Sequence, residues 1–360
     1  PFLASWLPFR LPLRTVLGFS SGAIPSMLTG RPPAENGHWN LFYYDPQGSP
    51  FRWLRPFQFL PDRALNNRLG RKLLKELGRR LLGLGPLFEC SVSPRLLAWF
   101  NWVEKRNIYA RGGITGARSI FDHLAEARIP HRVYSYRDGW SDREILERAR
   151  HDLEAGGADF FFLYLCELDQ ALHHHPLDAA EVDQRLAWYD ARLSEVFEAA
   201  RRRQPQACFT VVSDHGMTPV CHRYDLVAEV ESLGFSMPAY YLAVYDSTMA
   251  RFWFFSERAR QAVTARLAQV PCGRMLPDEE LRQLGIFFPD RRYGETILLL
   301  HPGWLLSRSD FNGAGWMPVG MHGYHPDDCY SDAVFLSNRP PRTALRTVAD
   351  VYQCMREAVA

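Results

Sequence analysis

The feature that most constrains this chain is an unbroken apolar run, Phe160-Phe161-Phe162-Leu163-Tyr164-Leu165, with no alternation of polar and apolar residues. A strand with one face in water alternates. A strand covered on both faces does not, and its usual setting is a parallel sheet between two layers of helices. The run is far too short to cross a bilayer, which takes about 18 apolar residues or more. Extended to Asp159–Cys166, it has company in His131–Tyr136, Cys208–Ser213, Arg251–Phe255, Thr296–Leu300 and Ala333–Leu336, all of which read as strands. Helical patterns lie between them. Ser141 with Glu144 forms a capping box, and Gly156-Gly157 closes that helix. Asp178 with Glu181 opens a longer helix, and Thr343–Glu357 reads as the last one. The expected fold class is α/β, a mostly parallel central sheet with helices on both faces, and ligands in such sheets sit at the carboxyl ends of strands.

Composition narrows the reading. At 360 residues and 47% hydrophobic, the chain can bury a large core and is expected to form one domain, residues 1–360, carrying an insertion. Its net charge of +2 points to no class of partner, and no specific nucleic-acid recognition is expected. The seven cysteines are odd in number and never in CxxC spacing, so neither a disulfide framework nor a thiolate zinc site is indicated. Pro1 to Leu17 is apolar but broken by prolines and is not a convincing signal peptide. The insertion is residues 51–111, with thirteen Lys and Arg against four acids. Within it Leu65, Leu69, Leu73, Leu77 and Leu81 recur every fourth residue among cations. That pattern is a basic amphipathic helix. It reads as a cap whose leucines pack on the main domain, or as a surface for anionic lipid or a polyanionic substrate.

Chemistry concentrates in four places. After the strand ending at Cys166, Asp169 and His173 stand one helical turn apart on one face, where both could reach one divalent cation; His174 and His175 read as solvated neighbours. The strand ending at Ser213 runs straight into Asp214-His215-Gly216-Met217, two ligand-type residues that are costly to bury unless coordinated, then a glycine allowing close approach. Met321-His322-Gly323-Tyr324 presents a further imidazole on a loop. Finally, Ser20 and Ser21 open a short helix ending at Thr29-Gly30, and a hydroxyl at a helix N-terminus is well placed for phosphate. Each piece alone has an ordinary structural explanation as a cap or a surface histidine.

In this order the four pieces resemble the alkaline phosphatase superfamily, and more closely its type I phosphodiesterase/nucleotide pyrophosphatase family. The likeness covers roughly Leu13–Asp45, Ile120–Val220 and Gly315–Leu336. It implies a metal-dependent hydrolase of phosphodiester or pyrophosphate bonds, with two divalent ions, zinc as a rule, and a phosphoseryl intermediate. One ion would take Asp169, His173 and His322; the other Asp214, His215 and the nucleophile. Ser20, ten residues before Gly30, is the expected nucleophile and Ser21 the alternative. Asn40 is the nearest candidate for the asparagine that helps hold the phosphoryl oxygens.

The chain departs from the family at one ligand, an aspartate from a strand preceding the nucleophile, because its first acidic residue is Glu35. The expectation is a chain lacking its first strand, with weakened metal binding at Asp214 and His215 and little activity. Transfer of a phospho-headgroup to a lipid or glycan, and a non-catalytic metal-containing binding module, are the alternatives. Sulfatase chemistry is disfavoured, since no cysteine occupies position 20. Localisation stays open: unpaired cysteines lean cytoplasmic, family habit leans towards the periplasm or exterior.

Overall fold

The computed structural model describes residues 1–57, 67–81, 93–310 and 317–359. The apolar run forms a strand at Phe160–Leu163, paired in parallel with His131–Tyr134. Its alternate side chains enter two different helical layers. Phe160, Phe162 and Tyr164 pack with Ile24, Leu28, Ile120 and Phe121, whereas Leu163 and Leu165 pack with Leu146, Leu193, Val196 and Phe197. Both faces are therefore covered by helices, as an unalternating strand requires. The strand residues are nonetheless half-buried, because His131–Tyr134 is the one strand hydrogen-bonded to them among the described residues.

Phe9–Leu13, Ala333–Ser337 and Thr210–Val212 form a three-stranded sheet, the middle strand antiparallel to both neighbours, so the outer two run parallel. Val211 shares the cluster of Leu163 and Leu165, and Val212 packs with Leu13, Met27 and Val351. The same helical layers thus sandwich both groups of strands. The capping box at Ser141 opens the helix Asp142–Ala155, and the longer helix spans Ala180–Arg203.

A separate antiparallel sheet takes the order Gly273–Met275, Thr296–Leu300, Met249–Phe254, Tyr241–Tyr245. One face covers a core of Ala243, Phe252, Val263, Leu298 and Leu300. The other, through Leu242, Val244 and Trp253, carries the inserted segment by way of Phe51, Leu54, Leu74, Phe100 and Trp102. The inserted helix spans Arg68–Leu81. Leu65 and the Leu81 side chain lie outside the described residues. The expected packing of the leucine stripe is corrected here. Leu74 and Gly78 face the domain and Leu77 is half-buried, whereas Leu69 and Leu73 stand in solvent. A four-residue repeat precesses by about 40° per step around an α-helix, so such a stripe cannot stay on one buried face.

Candidate active site

Ser20 is the first residue of the helix Ser20–Thr29. Phe19 precedes it in extended conformation and supplies no side-chain cap; the Gly22 N–H donates to the Phe19 carbonyl at 2.8 Å, which leaves the Ser20 and Ser21 N–H groups for an anion. The helix stops at Gly30, left-handed at φ 67°, whose N–H donates to the Ser26 carbonyl.

The other pieces are fixed by contacts of their own. Glu167–His174 is a helix beginning just past the apolar strand, and its start is pinned by Asp142, whose carboxylate accepts from the Cys166 N–H at 3.1 Å and the Glu167 N–H at 3.0 Å. Thr218–Pro219 pairs with Gly320–Met321, so the segment carrying His215 and the segment carrying His322 are stitched together. Gly216 has room for no side chain: a Cβ there would lie 2.1 Å from the Tyr330 carbonyl oxygen. Gly323 is constrained twice, by φ 94° and by Thr248 Oγ1, which a Cβ would meet at 2.8 Å, with Phe19 at 3.0 Å. Gly323→Ala is accordingly expected to destabilise the fold by about 2–3 kcal/mol and to displace His322, read as a lower urea midpoint with weakened metal binding.

Six residues from four separate stretches of the sequence converge. Ser20 Oγ lies 3.1 Å from His215 Nε2. His215 Nε2 is 3.5 Å from Asp214 Oδ2, His173 Nε2 is 3.4 Å from Asp169 Oδ2, and His322 Nε2 is 3.8 Å from Asp169 Oδ1. The His215 and His322 rings stack at 3.7 Å. Backbone carbonyls set the tautomers. His215 Nδ1 faces the Gly216 carbonyl at 2.9 Å and His173 Nδ1 the Gly320 carbonyl at 2.8 Å, so in the neutral imidazoles these nitrogens carry the protons and the Nε2 lone pairs face inward, while a protonated His173 donates from Nε2 to Asp169. Asp169 Oδ1 and Asp214 Oδ2 are buried with no hydrogen-bond partner.

Lone pairs and carboxylate oxygens facing one another repel unless a cation or proton lies among them. Ligand atoms of Asp169, His215 and His322 lie within 4.8 Å of one another, a donor set that fits a divalent metal. Charge states agree. Burial opposes ionisation of Asp169, but the His173 hydrogen bond and the surrounding imidazoles hold its carboxyl well below the usual range. Burial, with His215 beside it, keeps His322 neutral, the form a metal binds. Burial also lowers His173, yet the bond and charge of Asp169 leave its net shift upward.

Ser21 points elsewhere, its hydroxyl donating to the Trp39 carbonyl at 3.3 Å. Asn40 is buried, and one amide hydrogen is committed to the Asp246 carboxylate, itself paired with the buried Arg251 at 2.7 Å. His174 is exposed and bonds the Gln170 carbonyl. Not foreseen from sequence is a small apolar cleft beside Ser20, walled by His38, Ile108, Tyr109, Tyr136 and Tyr164. Its residues, those of the Ser20 helix included, come from five separate segments, and no spacing rule joins them. Burial drives the His38 imidazole down to about 4 from an ordinary 6.5. Between those values the unfolded chain takes up a proton that the folded chain refuses, so stability falls as pH drops through the window, by up to about 3 kcal/mol. Urea midpoints across that range should show the slope, and His38→Gln should flatten it.

With the geometry in place, comparison with known proteins is decisive for ancestry. The profile of the type I phosphodiesterase / nucleotide pyrophosphatase family matches residues 21–325. The chain belongs to that family. Membership makes it a phosphoric ester hydrolase of phosphodiesterase/pyrophosphatase type, in a family that is typically metal-dependent. No curated protein matches the sequence. Among solved structures, human ectonucleotide pyrophosphatase/phosphodiesterase 5 is similar over 96% of this chain and 85% of its own, at 13% identity and TM-score 0.68. The murine protein is similar over 96% and 86%, at 15% identity and TM-score 0.65. An inactive murine variant in complex with AMP gives 97% and 86%, at 16% and 0.66. At these identities the likeness shows a shared α/β fold.

Proposed function

We propose that this protein cleaves phosphodiester or pyrophosphate bonds in two steps through Ser20. The carrying observation is the Ser20 hydroxyl at a helix N-terminus, 3.1 Å from His215 Nε2 within a ring of metal-type ligands. Asp169, His173 and His322 would hold one divalent ion, and Asp214, His215 and the Ser20 oxygen a second. Divalent ions there, zinc in our reading, would lower the pKa of the Ser20 hydroxyl and offset charge on the phosphoryl oxygens. Ser20 Oγ bonds to phosphorus as the bond to the leaving alcohol or phosphate breaks, the hydroxyl proton passing to solvent. Water then attacks the phosphoseryl ester and frees Ser20. The Ser20 and Ser21 N–H groups, with the Asn40 side-chain amide, hold phosphoryl oxygens in place. The apolar cleft takes the uncharged part of the substrate adjoining the phosphorus.

With zinc supplied, a bis-aryl phosphate should turn over faster than the mono-aryl phosphate of the same leaving group. A faster monoester would overturn the diester assignment. Transfer to a lipid or glycan alcohol shares the first step, and an added acceptor alcohol that diverts the product from water would favour it.

A further inference from the structure

The inserted helix leaves an outer face that is unpartnered among the described residues and whose chemistry the phosphoryl site does not use. Its inner side is occupied: Leu74 and Gly78 are buried against the domain, and the Arg71 charge is felt by the half-buried Asp310. On the outer side Leu69 is 79% exposed and Leu73, one turn on, is 70% exposed. Lys72 and Arg80 are exposed alongside them, Arg80 paired with Glu76. Over Arg68–Leu81 the sequence holds six cations and one acid. Single exposed leucines are ordinary on protein surfaces. Two on one stripe, flanked by cations, on a helix already anchored by its opposite face, are a different arrangement.

A soluble polyanion would satisfy the cations and leave both leucines in water. An apolar protein groove would cover the leucines and strand the surplus charge. A bilayer interface satisfies both, with leucines at the acyl boundary and ammonium and guanidinium groups among headgroup phosphates. We propose that the outer face of the Arg68–Leu81 helix docks this protein on an anionic lipid surface. Binding of this kind is peripheral and reversible, since two leucines bury little area and the remainder is electrostatic.

The test is co-sedimentation of the full chain with vesicles of phosphatidylcholine alone or mixed with phosphatidylserine. Binding should favour the mixed vesicles at least tenfold and be lost at high salt. Lys72→Gln with Arg80→Gln should weaken it about fivefold per cation, and Leu69→Ser with Leu73→Ser about tenfold or more. Both variants alter exposed residues, so their urea midpoints should match wild type, and their turnover of a soluble bis-aryl phosphate should be unchanged. Equal binding to both vesicles, or indifference to both substitutions, overturns the proposal. So does retention by heparin beads without vesicle binding, or a dimer in light scattering that the leucine variant dissociates. None of these readouts requires Ser20 to be the nucleophile.

Discussion

Ser20→Ala is expected to lower turnover of a bis-aryl phosphate by on the order of a thousandfold or more, with KM little changed, because it removes the atom that forms the new bond to phosphorus. Ser21→Ala is the matched control and should cost less than tenfold, since that hydroxyl is turned to the Trp39 carbonyl. An acid quench during turnover should trap a phosphoryl group on the peptide carrying Ser20 in wild type and not in the variant. Retained turnover in Ser20→Ala would remove Ser20 from the reaction. Trapped phosphate on Ser21 would hand it the role instead. Loss through misfolding is distinguishable: Ser20 is half-buried at the helix start, and its truncation should leave the urea midpoint nearly unmoved.

Much of the site was legible because metal ligation needs particular residue types at strand ends, and those survive as short contiguous signals. Asp214 and His215 stand directly after a strand, and Asp169 and His173 share one helical face, so four ligands could be read from two local patterns. His322 needed the ordered set, since a lone loop histidine carries little information. What brings it to His215 is the pairing of Met321 with Thr218, a contact between segments about a hundred residues apart. The cleft was illegible for the same reason: His38, Tyr109, Tyr136 and Tyr164 occur in segments with no common period. The strands Tyr241–Tyr245 and Gly273–Met275 were missed where burial on both faces, or short length, erases alternation. The leucine repeat of the insertion misled by suggesting one buried stripe, whereas the helix rests on Leu74 and Gly78.

Asp169 is where loss of one charge should be felt furthest from catalysis. Its carboxylate reaches both His173 and His322, and its Oδ1 has no hydrogen-bond donor. Zinc added to the metal-stripped protein at about a hundredfold excess over Kd should raise unfolding free energy by about 2.7 kcal/mol. For a chain of 360 residues that is a rise in Tm of about 4 °C. Asp169→Asn keeps the shape but removes the charge, and should weaken zinc binding about a hundredfold, abolishing the shift at the same concentration. Titration of wild type should show one site at Asp169, His173 and His322 tighter than that at Asp214 and His215, because the first set joins a carboxylate to two imidazoles whereas the second relies on the neutral Ser20 hydroxyl for its third ligand. Affinity at the tighter site should rise with pH, since the proton that Asp169 helps hold on His173 must leave before its Nε2 can bind a metal. An unchanged zinc response in Asp169→Asn would mean that the metal binds elsewhere. Two equally tight sites would overturn that ranking.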